Sequence, residues 1–490
     1  MAQCFRRAVP FNPFLLPNHF PHSVPSCSCH FYKLKLGSLV QSRFTSTATS
    51  SGEDDTKYRF FEYNWVDGAE KLERYEPEGY HPVMIGDIFR DRYRIVDKLG
   101  FGGYSTVWLA QDMHREEYVA LKVGIPSSLS QEVKSLRALS ASSANPGHDA
   151  IPSPLDEFEV QGPNGAHPCY TTVPARCNLR EVSYNYLFPI DVARALVGGL
   201  VMGIAHVHSC GYVHGGLLPP FGPGCPWLIC FVVTDIHLPN VLVKLPSSLN
   251  HLSVRQFYEE YGEPEIWPVT HRDGIPLPPN VSPKAVVPVY LGIHAYKFKL
   301  HDAHVLLGDF GESYSPLSET RRGENCNTPP AMRPPEARFE PQSPLSYSAD
   351  IWSLGVTIWE ILGMKAIFSM EWITDDEMVS QHIDVLGPMP KNWWERWEGR
   401  GEFFNQDGRP IEGRELWPEL EEAFTRDVQI YRYKSGMEIF EKEETRAILN
   451  LMRRMLAFRP EERPTIEEVL QSEWMLKWVL PDWESCRNSK

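Results

Sequence analysis

The sequence lacks cysteine pairs at metal-binding spacing, and it lacks long apolar runs. Its ten cysteines are scattered and form no CxxC pair, so neither a zinc framework nor a disulfide framework is expected. Thiols used in this way fit a reducing compartment. The longest apolar runs, such as 227–233, fall far short of the roughly 20 residues that cross a bilayer. We therefore expect no transmembrane helix.

Acidic residues are absent from the segment 1–52, which contains five basic residues and is rich in Ser, Thr, Phe and Pro. This composition is typical of a mitochondrial transit peptide, and a disordered tail or a wrongly assigned start are the alternatives. The whole chain has a net charge of −15, so the remainder carries about −20. An acidic body favours basic partners and disfavours direct binding to nucleic acid.

A glycine turn between two apolar-alternating strands follows Tyr93, in the stretch YRIVDKLGFGGYSTVWLA. Gly100 and Gly102 would let the backbone approach phosphates, because a Cβ there would fill the space that a nucleotide needs. Lys122 stands inside the β-branched strand 119–123 and needs an anion if it is buried. Nucleotide phosphates and Glu132, on a helix predicted over 131–139, would supply two anions. A lysine on a solvated edge strand is the alternative.

A catalytic stretch appears in two pieces, YVHG at 212–215 and DIHLPNVLV at 235–243, separated by residues 216–234. Joined directly, they give an Asp followed five residues later by an Asn and a short strand, a pattern of phosphoryl-transfer enzymes. A helix predicted over 191–208, with Asp191 able to cap its start, leads into the first piece at 212–215. A literal His-Arg-Asp at 271–273 is followed by a Pro-rich stretch without the Asn, and we interpret it as a turn.

Further residues continue the same pattern toward the C-terminus. Asp309, in a strand running into Asp-Phe-Gly, carries a carboxylate suited to Mg²⁺ between phosphates. Asp350 opens an apolar helix, where it would cap the helix and bond the catalytic-loop backbone. The stretch 456–465 supplies an Arg that would pair with Glu336 and lock this half of the chain. The occurrence of so many elements in one order argues against chance agreement.

From about 81 to 478 the chain resembles a eukaryotic protein kinase, and more narrowly a serine/arginine-rich-protein kinase of the fungal type. The narrower match rests on a spacer before Asp309 and on four stretches: GYHPVMIGD at 79–87, LGFGGYSTVWL at 99–109, IDVLG at 383–387 and EFFN at 402–405. The resemblance implies an α+β bilobal protein-kinase fold with a small β-rich N-lobe and a larger helical C-lobe. It also implies ATP-dependent phosphorylation of serine in Arg/Ser-rich splicing factors, and thereby a role in mRNA processing.

The resemblance also implies the role of each site residue. Lys122 would hold the α- and β-phosphates of ATP, Glu132 would orient Lys122, and Asp235 would accept the proton of the substrate hydroxyl. Asn240 and Asp309 would bind Mg²⁺. The implied nucleotide-binding residues are Leu99, Gly100, Gly102, Ser105, Val107, Ala120, Lys122, Val173 and Ala175. By position alone, 169–175 fits the hinge, with Thr172 as gatekeeper.

The implied division of the chain has five parts. They are a leader at 1–52, an N-terminal extension at 53–80, the N-lobe at 81–176, the C-lobe at 177–480 and a tail at 481–490. Within the C-lobe, 216–234 is an anomalous insertion and 246–304 is a spacer on the large lobe, with a short helix near 254–261. The acidic cluster 375–377 falls where family members dock basic peptides, and a solvated helix start is the equally weighted alternative.

Three departures from the family pattern bear on activity. Gly215 stands where the family usually has an Arg, so a phosphorylated activation loop would lack its cationic anchor. His237 stands where a Lys is usual, which predicts slower chemistry or a shifted substrate preference, because neutral histidine holds phosphate less well. The third is the insertion 216–234. Closing such a loop costs on the order of 2–3 kcal/mol of stability, which a folded domain can tolerate. A misplacement of catalytic residues such as Asp235 by about 1 Å, however, can lower the rate roughly 100-fold.

A short retained intron is the favoured hypothesis for 216–234, because its removal restores an uninterrupted loop and its coding length is a multiple of three. Sequencing the transcript tests this.

Three functional alternatives remain: an active kinase, a pseudokinase scaffold that binds nucleotide or basic peptides, and a nonfunctional misannotated product. The expected partners are basic Arg/Ser-rich proteins, with neither nucleic acid nor membrane, and the chain is expected to be a monomer. The expected location is cytoplasm and nucleus, or the mitochondrion if 1–52 is a transit peptide.

Overall fold

An antiparallel six-stranded sheet forms the N-lobe of the computed structural model, which describes residues 62–142, 145–183, 186–215, 236–326, 328–363, 365–369 and 374–489. In chain order its elements are β1 (Ile88–Phe89), β2 (Tyr93–Gly102), β3 (Ser105–Asp112), β4 (Glu117–Gly124), α1 (Ser130–Ser140), β5 (Asp156–Gly162) and β6 (Gly165–Thr172). The order in the sheet is β1-β2-β3-β4-β6-β5. The hairpin, the lysine-bearing strand and the helix predicted over 131–139 are all confirmed.

Helices dominate the C-lobe. From residue 175 onward the elements, of which α4, β9 and β10 belong to the spacer, are β7 (Ala175–Asn178), α2 (Leu179–Ser183), α3 (Ile190–Ser209), β8 (Val241–Lys244), α4 (Val254–Tyr261), β9 (Glu265–Pro268), β10 (Lys284–Val287), β11 (Val305–Leu307), α5 (Glu336–Phe339), α6 (Tyr347–Gly363), α7 (Asp375–Leu386), α8 (Lys391–Arg396), α9 (Leu420–Ala423), a π-helical segment Phe424–Gln429, α10 (Ile430–Lys434), α11 (Lys442–Met455), α12 (Ile466–Leu470), a second π-helical segment Met475–Val479 and α13 (Leu480–Asn488). The bilobal α+β architecture is thus confirmed.

Helices α3 and α6 form the centre of the C-lobe core because they are apolar on nearly every side. In the described part of the chain, α3 is long and apolar enough to span a membrane by length and composition, but 89% of that window is buried inside the fold. Its N-cap is Pro189 rather than the predicted Asp191, which lies in the first turn and accepts the N–H of Val192. Asp191 was predicted as the N-cap because acidic side chains are favourable both at the N-cap and in the first turn of a helix.

A buried ion pair locks the C-lobe as predicted. Arg463 donates two hydrogen bonds to the carboxylate of Glu336, at 2.8 and 2.6 Å, and both side chains are nearly inaccessible to solvent. The remaining Arg463 donors reach the carbonyl groups of Ala457, Ser348 and Phe458. Because every donor direction is occupied, this guanidinium joins the segment after α11 to the start of α5 and α6.

The spacer is divided between the lobes, because α4 packs on the N-lobe whereas Ala295, Phe298 and Ala303 lie in the C-lobe core. Its predicted place on the large lobe was therefore wrong only for its first part. Phe257 of α4 is fully buried beside Val96, Leu109 and Tyr118 of the small-lobe sheet, and Tyr258 donates to the Val96 carbonyl at 2.8 Å. Strands β9 and β10 form a separate antiparallel pair. The physical reason is that the sheet carries apolar side chains beyond the nucleotide cavity, and the spacer removes them from water.

Two other segments make packing contacts that the sequence did not predict. The N-terminal extension, described from residue 62, packs with Val269, Ala285 of β10 and Ile125 in one hydrophobic cluster. The predicted tail at 481–490 contains α13, whose Trp483 packs against Gly198 of α3. The His-Arg-Asp at 271–273 is a turn as predicted, closed by the Gly274 N–H and the His271 carbonyl at 3.0 Å.

Candidate active site

A cavity of about 930 Å³ lies between the lobes, and the predicted nucleotide-binding residues line it. These are Leu99, Gly100, Gly102, Ser105, Val107, Ala120, Lys122, Val173 and Ala175. The β2–β3 hairpin forms one wall, and a Cβ built on either Gly100 or Gly102 would meet no atom within 4 Å. That open space is what a polyphosphate beneath the hairpin would require. A volume of this size suits a nucleotide.

Lys122 has a defined anionic partner in the cavity. Its Nζ lies 2.7 Å from both carboxylate oxygens of Glu132, on α1. Tyr170 of the neighbouring strand donates its hydroxyl to Glu132 at 3.1 Å, which fixes the carboxylate from a second side. About a fifth of the Lys122 side chain is exposed, so the ammonium remains accessible to a ligand in the cavity. The predicted solvated edge-strand alternative does not hold, because Lys122 lies between β3 and β6.

Asp309 also lines the cavity and has a left-handed backbone conformation, at φ +59°. Burial raises the pKa of this carboxyl, while the nearby positive charge of Lys122 opposes the rise. A buried carboxylate whose charge depends on neighbouring cations is suited to a divalent cation. The predicted second ligand, Asn240, also lines the cavity, and its carbonyl accepts the Gly308 N–H at 2.7 Å. These two residues and Lys122 fit a nucleotide carrying a divalent metal.

The part of the catalytic loop just before the insertion is held by several contacts. His214 lies with its Nε2 at 3.1 Å from the Gly308 carbonyl, and its ring centroid is 4.8 Å from that of Phe310. The Asp350 carboxylate accepts the backbone N–H groups of His214 and Gly215, as predicted. The segment 216–234 and the predicted catalytic base Asp235 lie outside the described residues. The structure therefore brings together every predicted site residue except Asp235.

Several cavity residues were not identified from the sequence. Leu242 lies on β8, whose signal was the short strand after the catalytic loop, and Leu306 lies on β11, whose signal was the strand running into Asp309. Residues 287–290 of the spacer also line the cavity, although the spacer was expected on the other lobe. Thr172, the predicted gatekeeper, ends β6 and lines the cavity beside the hinge.

The acidic cluster 375–377 is largely committed to contacts within the chain. Asp376 pairs with Arg338 and accepts the indole N–H of Trp397 at 2.6 Å. Glu377 closes a capping box with Thr374 at the start of α7. Asp375 is the more open member, with its side chain 59% exposed and Arg333 at 4.0 Å. This arrangement favours the helix-start interpretation for two of the three residues.

Comparison with known proteins agrees with this geometry. The family model for the protein kinase domain matches residues 298–475. A serine/threonine protein kinase of Aspergillus fumigatus is 25% identical over 418 residues, covering 83% of this chain and 90% of that protein. The serine/threonine-protein kinase SRPK of Physarum polycephalum is 25% identical over 434 residues, covering 83% and 91%.

A human relative adds a more similar but shorter match. The SRSF protein kinase 3 of Homo sapiens is 32% identical over 167 residues, which is 31% of this chain and 30% of that protein. The ion pair of Lys122, the position of Asp309 and the matched domain agree with one another. The chain contains a protein kinase domain and is similar to serine/threonine protein kinases, among them the SR protein kinases.

Proposed function

We propose that this kinase transfers the γ-phosphoryl group of ATP to serine in Arg/Ser-rich proteins and thereby acts in mRNA processing. The observation that carries the proposal is the Lys122–Glu132 ion pair at 2.7 Å, which faces Asp309 in one cavity. The acidic body of the chain supports a basic substrate. The printed names of relatives from human and Physarum, SRSF protein kinase 3 and SRPK, support the same substrate class.

Each residue has a proposed task in the transfer. Lys122 holds the α- and β-phosphates, and Glu132 keeps the ammonium in place. Asn240 and Asp309 hold Mg²⁺, which supplies charge neutralisation at the phosphates when bound. Asp235 accepts the proton of the substrate hydroxyl, a contribution of about 10²–10⁴-fold in rate. Transfer therefore depends on positioning Asp235, and the proposed activity is conditional on the insertion.

A pseudokinase scaffold is not favoured, because Lys122, Glu132, Asn240 and Asp309 are all present and meet at one cavity. Turnover of ATP distinguishes an active kinase from a scaffold that only binds nucleotide. We also propose that the chain acts as a monomer in the cytoplasm and nucleus. A fluorescent fusion of the full chain tests the location, and a mitochondrial signal that disappears on removal of 1–52 would instead support the transit peptide.

A peptide comparison tests the substrate class. The chain lacking 216–234 is incubated with Mg²⁺, ATP and either an Arg-Ser repeat peptide or a Lys-Ser repeat peptide of equal length and charge. The proposal expects faster phosphorylation of the Arg-Ser peptide, because a guanidinium pairs bidentately with carboxylates and an ammonium does not. The matched control is the same chain with Asp235→Asn. Equal rates on both peptides would contradict the Arg/Ser preference while leaving kinase activity intact.

A further inference from the structure

The N-terminal extension contains a tight turn that brings two of its side chains together. The Tyr80 N–H bonds the Arg74 carbonyl at 2.8 Å, and the Gly79 N–H bonds the Glu76 carbonyl at 2.8 Å. A Cβ at Gly79 would lie 2.0 Å from the Arg74 carbonyl oxygen, so only glycine fits there. The guanidinium carbon of Arg74 lies 5.4 Å from the centre of the Tyr80 ring. The turn thus fixes Arg74 beside Tyr80.

Both side chains reach the tip of the glycine-rich hairpin. The Tyr80 hydroxyl donates to the carbonyl of Gly102 at 2.5 Å, and Nη2 of Arg74 donates to the carbonyl of Gly103. Tyr80 is only 4% exposed, so its hydroxyl is held in place by surrounding packing. Gly102 and Gly103 both line the cavity between the lobes. The extension therefore holds the part of the hairpin that faces a bound nucleotide's phosphates.

The base of the same hairpin is held by the same segment. Lys98 of β2 is fully buried, and its ammonium pairs with the carboxylate of Glu70. The Tyr75 hydroxyl donates to Glu70 at 2.5 Å, which orients the carboxylate. Breaking one side of such a buried pair leaves an uncompensated charge, so the pair sets one arrangement of the two segments. The hairpin is thus bonded to the extension at two separate points.

We propose that Tyr80 and Arg74 are positioning residues that hold the hairpin over the nucleotide phosphates before the nucleotide binds. This inference rests on the proposed function. A hairpin that is already ordered loses less conformational entropy when the nucleotide arrives. Removing either side chain would free the hairpin tip and weaken binding of the phosphates, while the adenine end, bounded by the hinge and Ala120, would be unaffected.

Calorimetric titration of the full chain with Mg²⁺–ADP and, separately, with adenosine tests the proposal. Tyr80→Phe is expected to weaken ADP binding about threefold to tenfold, the effect of one neutral hydrogen bond, and to leave adenosine binding unchanged. Arg74→Met is expected to act in the same direction. Tyr118→Phe is the matched control, because Tyr118 is also 4% exposed and donates its hydroxyl to a backbone carbonyl, that of Leu252, at 3.1 Å.

Equal weakening of ADP and adenosine by Tyr80→Phe, or an equal effect of Tyr118→Phe on ADP, would overturn the proposal. Hydrogen exchange of the peptide covering 99–107, measured without nucleotide, gives a readout that does not depend on the proposed function. Exchange is expected to be faster in Tyr80→Phe and Arg74→Met than in wild type and Tyr118→Phe. Unchanged exchange in both variants would overturn the inference, whether or not the wild-type chain binds nucleotide. A wild-type chain that binds no nucleotide would instead contradict the proposed function.

Discussion

The Asp350 carboxylate accepts the backbone N–H of His214 at 2.8 Å, just before the insertion. Seven residues further along α6, Thr357 donates its hydroxyl to the carbonyl of Ile236, just after the insertion, at 2.6 Å. At 1.5 Å per residue these two anchors are about 10 Å apart along the helix. Three extended residues also span about 10 Å. A chain joining Gly215 directly to Asp235 and Ile236 would therefore reach both anchors.

Breaking the ion pair between Lys122 and Glu132 should lower activity, whereas breaking an exposed ion pair on the same helix should not. In the chain lacking 216–234, Glu132→Gln should lower kcat about 10- to 100-fold, because a charge-assisted hydrogen-bond pair is worth roughly 1.5–3 kcal/mol. Glu157→Gln, which breaks the exposed pair between Glu157 and Arg137 of α1, should change kcat less than about twofold. Steady-state rates with saturating ATP measure both. Equal losses would show that disturbance of α1, rather than the lysine contact, controls the rate.

The buried pair of Arg463 and Glu336 predicts a large stability effect. Glu336→Gln should lower the free energy of unfolding by about 3–5 kcal/mol, because it leaves a buried guanidinium without its counter-charge. Glu461→Gln, at the more exposed pair with Arg459, should cost at most about 1 kcal/mol. Urea denaturation followed by tryptophan fluorescence compares the two. A cost at Glu336 no greater than that at Glu461 would contradict a locking role.

Glu360 predicts a pH-dependent stability difference. Burial raises the pKa of this carboxyl to about 7, and Oε1 has no hydrogen-bond partner within the described residues. The folded state therefore holds the proton more tightly than the unfolded state, so this residue lowers stability as pH rises from about 4.5 to about 7. The loss amounts to roughly 3 kcal/mol.

Glu360→Gln removes that titration. The variant should be close to wild type in stability near pH 4.5 and more stable above pH 7, because glutamine resembles the protonated carboxyl. Urea midpoints at several pH values measure the difference between the two proteins, which cancels contributions from other groups. A difference that does not change with pH would contradict the assigned cause.

The activation segment is held by its own arginine, which predicts that phosphorylation is not needed to order it. Arg321 donates to the Glu312 carbonyl at 2.6 Å and to the Glu319 carboxylate at 2.6 Å, and it lies over the Tyr314 ring. Gly215 has φ +73°, and a Cβ there would lie 2.8 Å from the Glu312 carbonyl, so an Arg in its place would be strained. Arg321→Gln should lower activity. Phosphorylation of residues 312–333 should not raise the activity. Mass spectrometry measures the phosphorylation, and rate assays before and after it measure the activity.

The sequence predicted the hairpin, the lysine strand and the helices near the site because each has a strong local pattern. The short helix α4 also matches its predicted bounds of 254–261. The spacer's place could not be predicted, since covering Val96 and Leu109 depends on which sheet face the fold leaves open. The contacts of Arg74 and Tyr80 with the hairpin depend equally on tertiary packing. No residue pattern at 74–80 signals a partner near residue 102.

Turnover of ATP on an Arg-Ser repeat peptide tests the central claim most directly. Three proteins are compared: the chain as written, the chain lacking 216–234, and the shortened chain with Asp235→Asn. The account predicts high turnover by the shortened chain, at least about 100-fold less after Asp235→Asn, and reduced turnover by the chain as written. An inactive shortened chain that still folds and binds nucleotide would contradict the assignment of this protein as an active kinase.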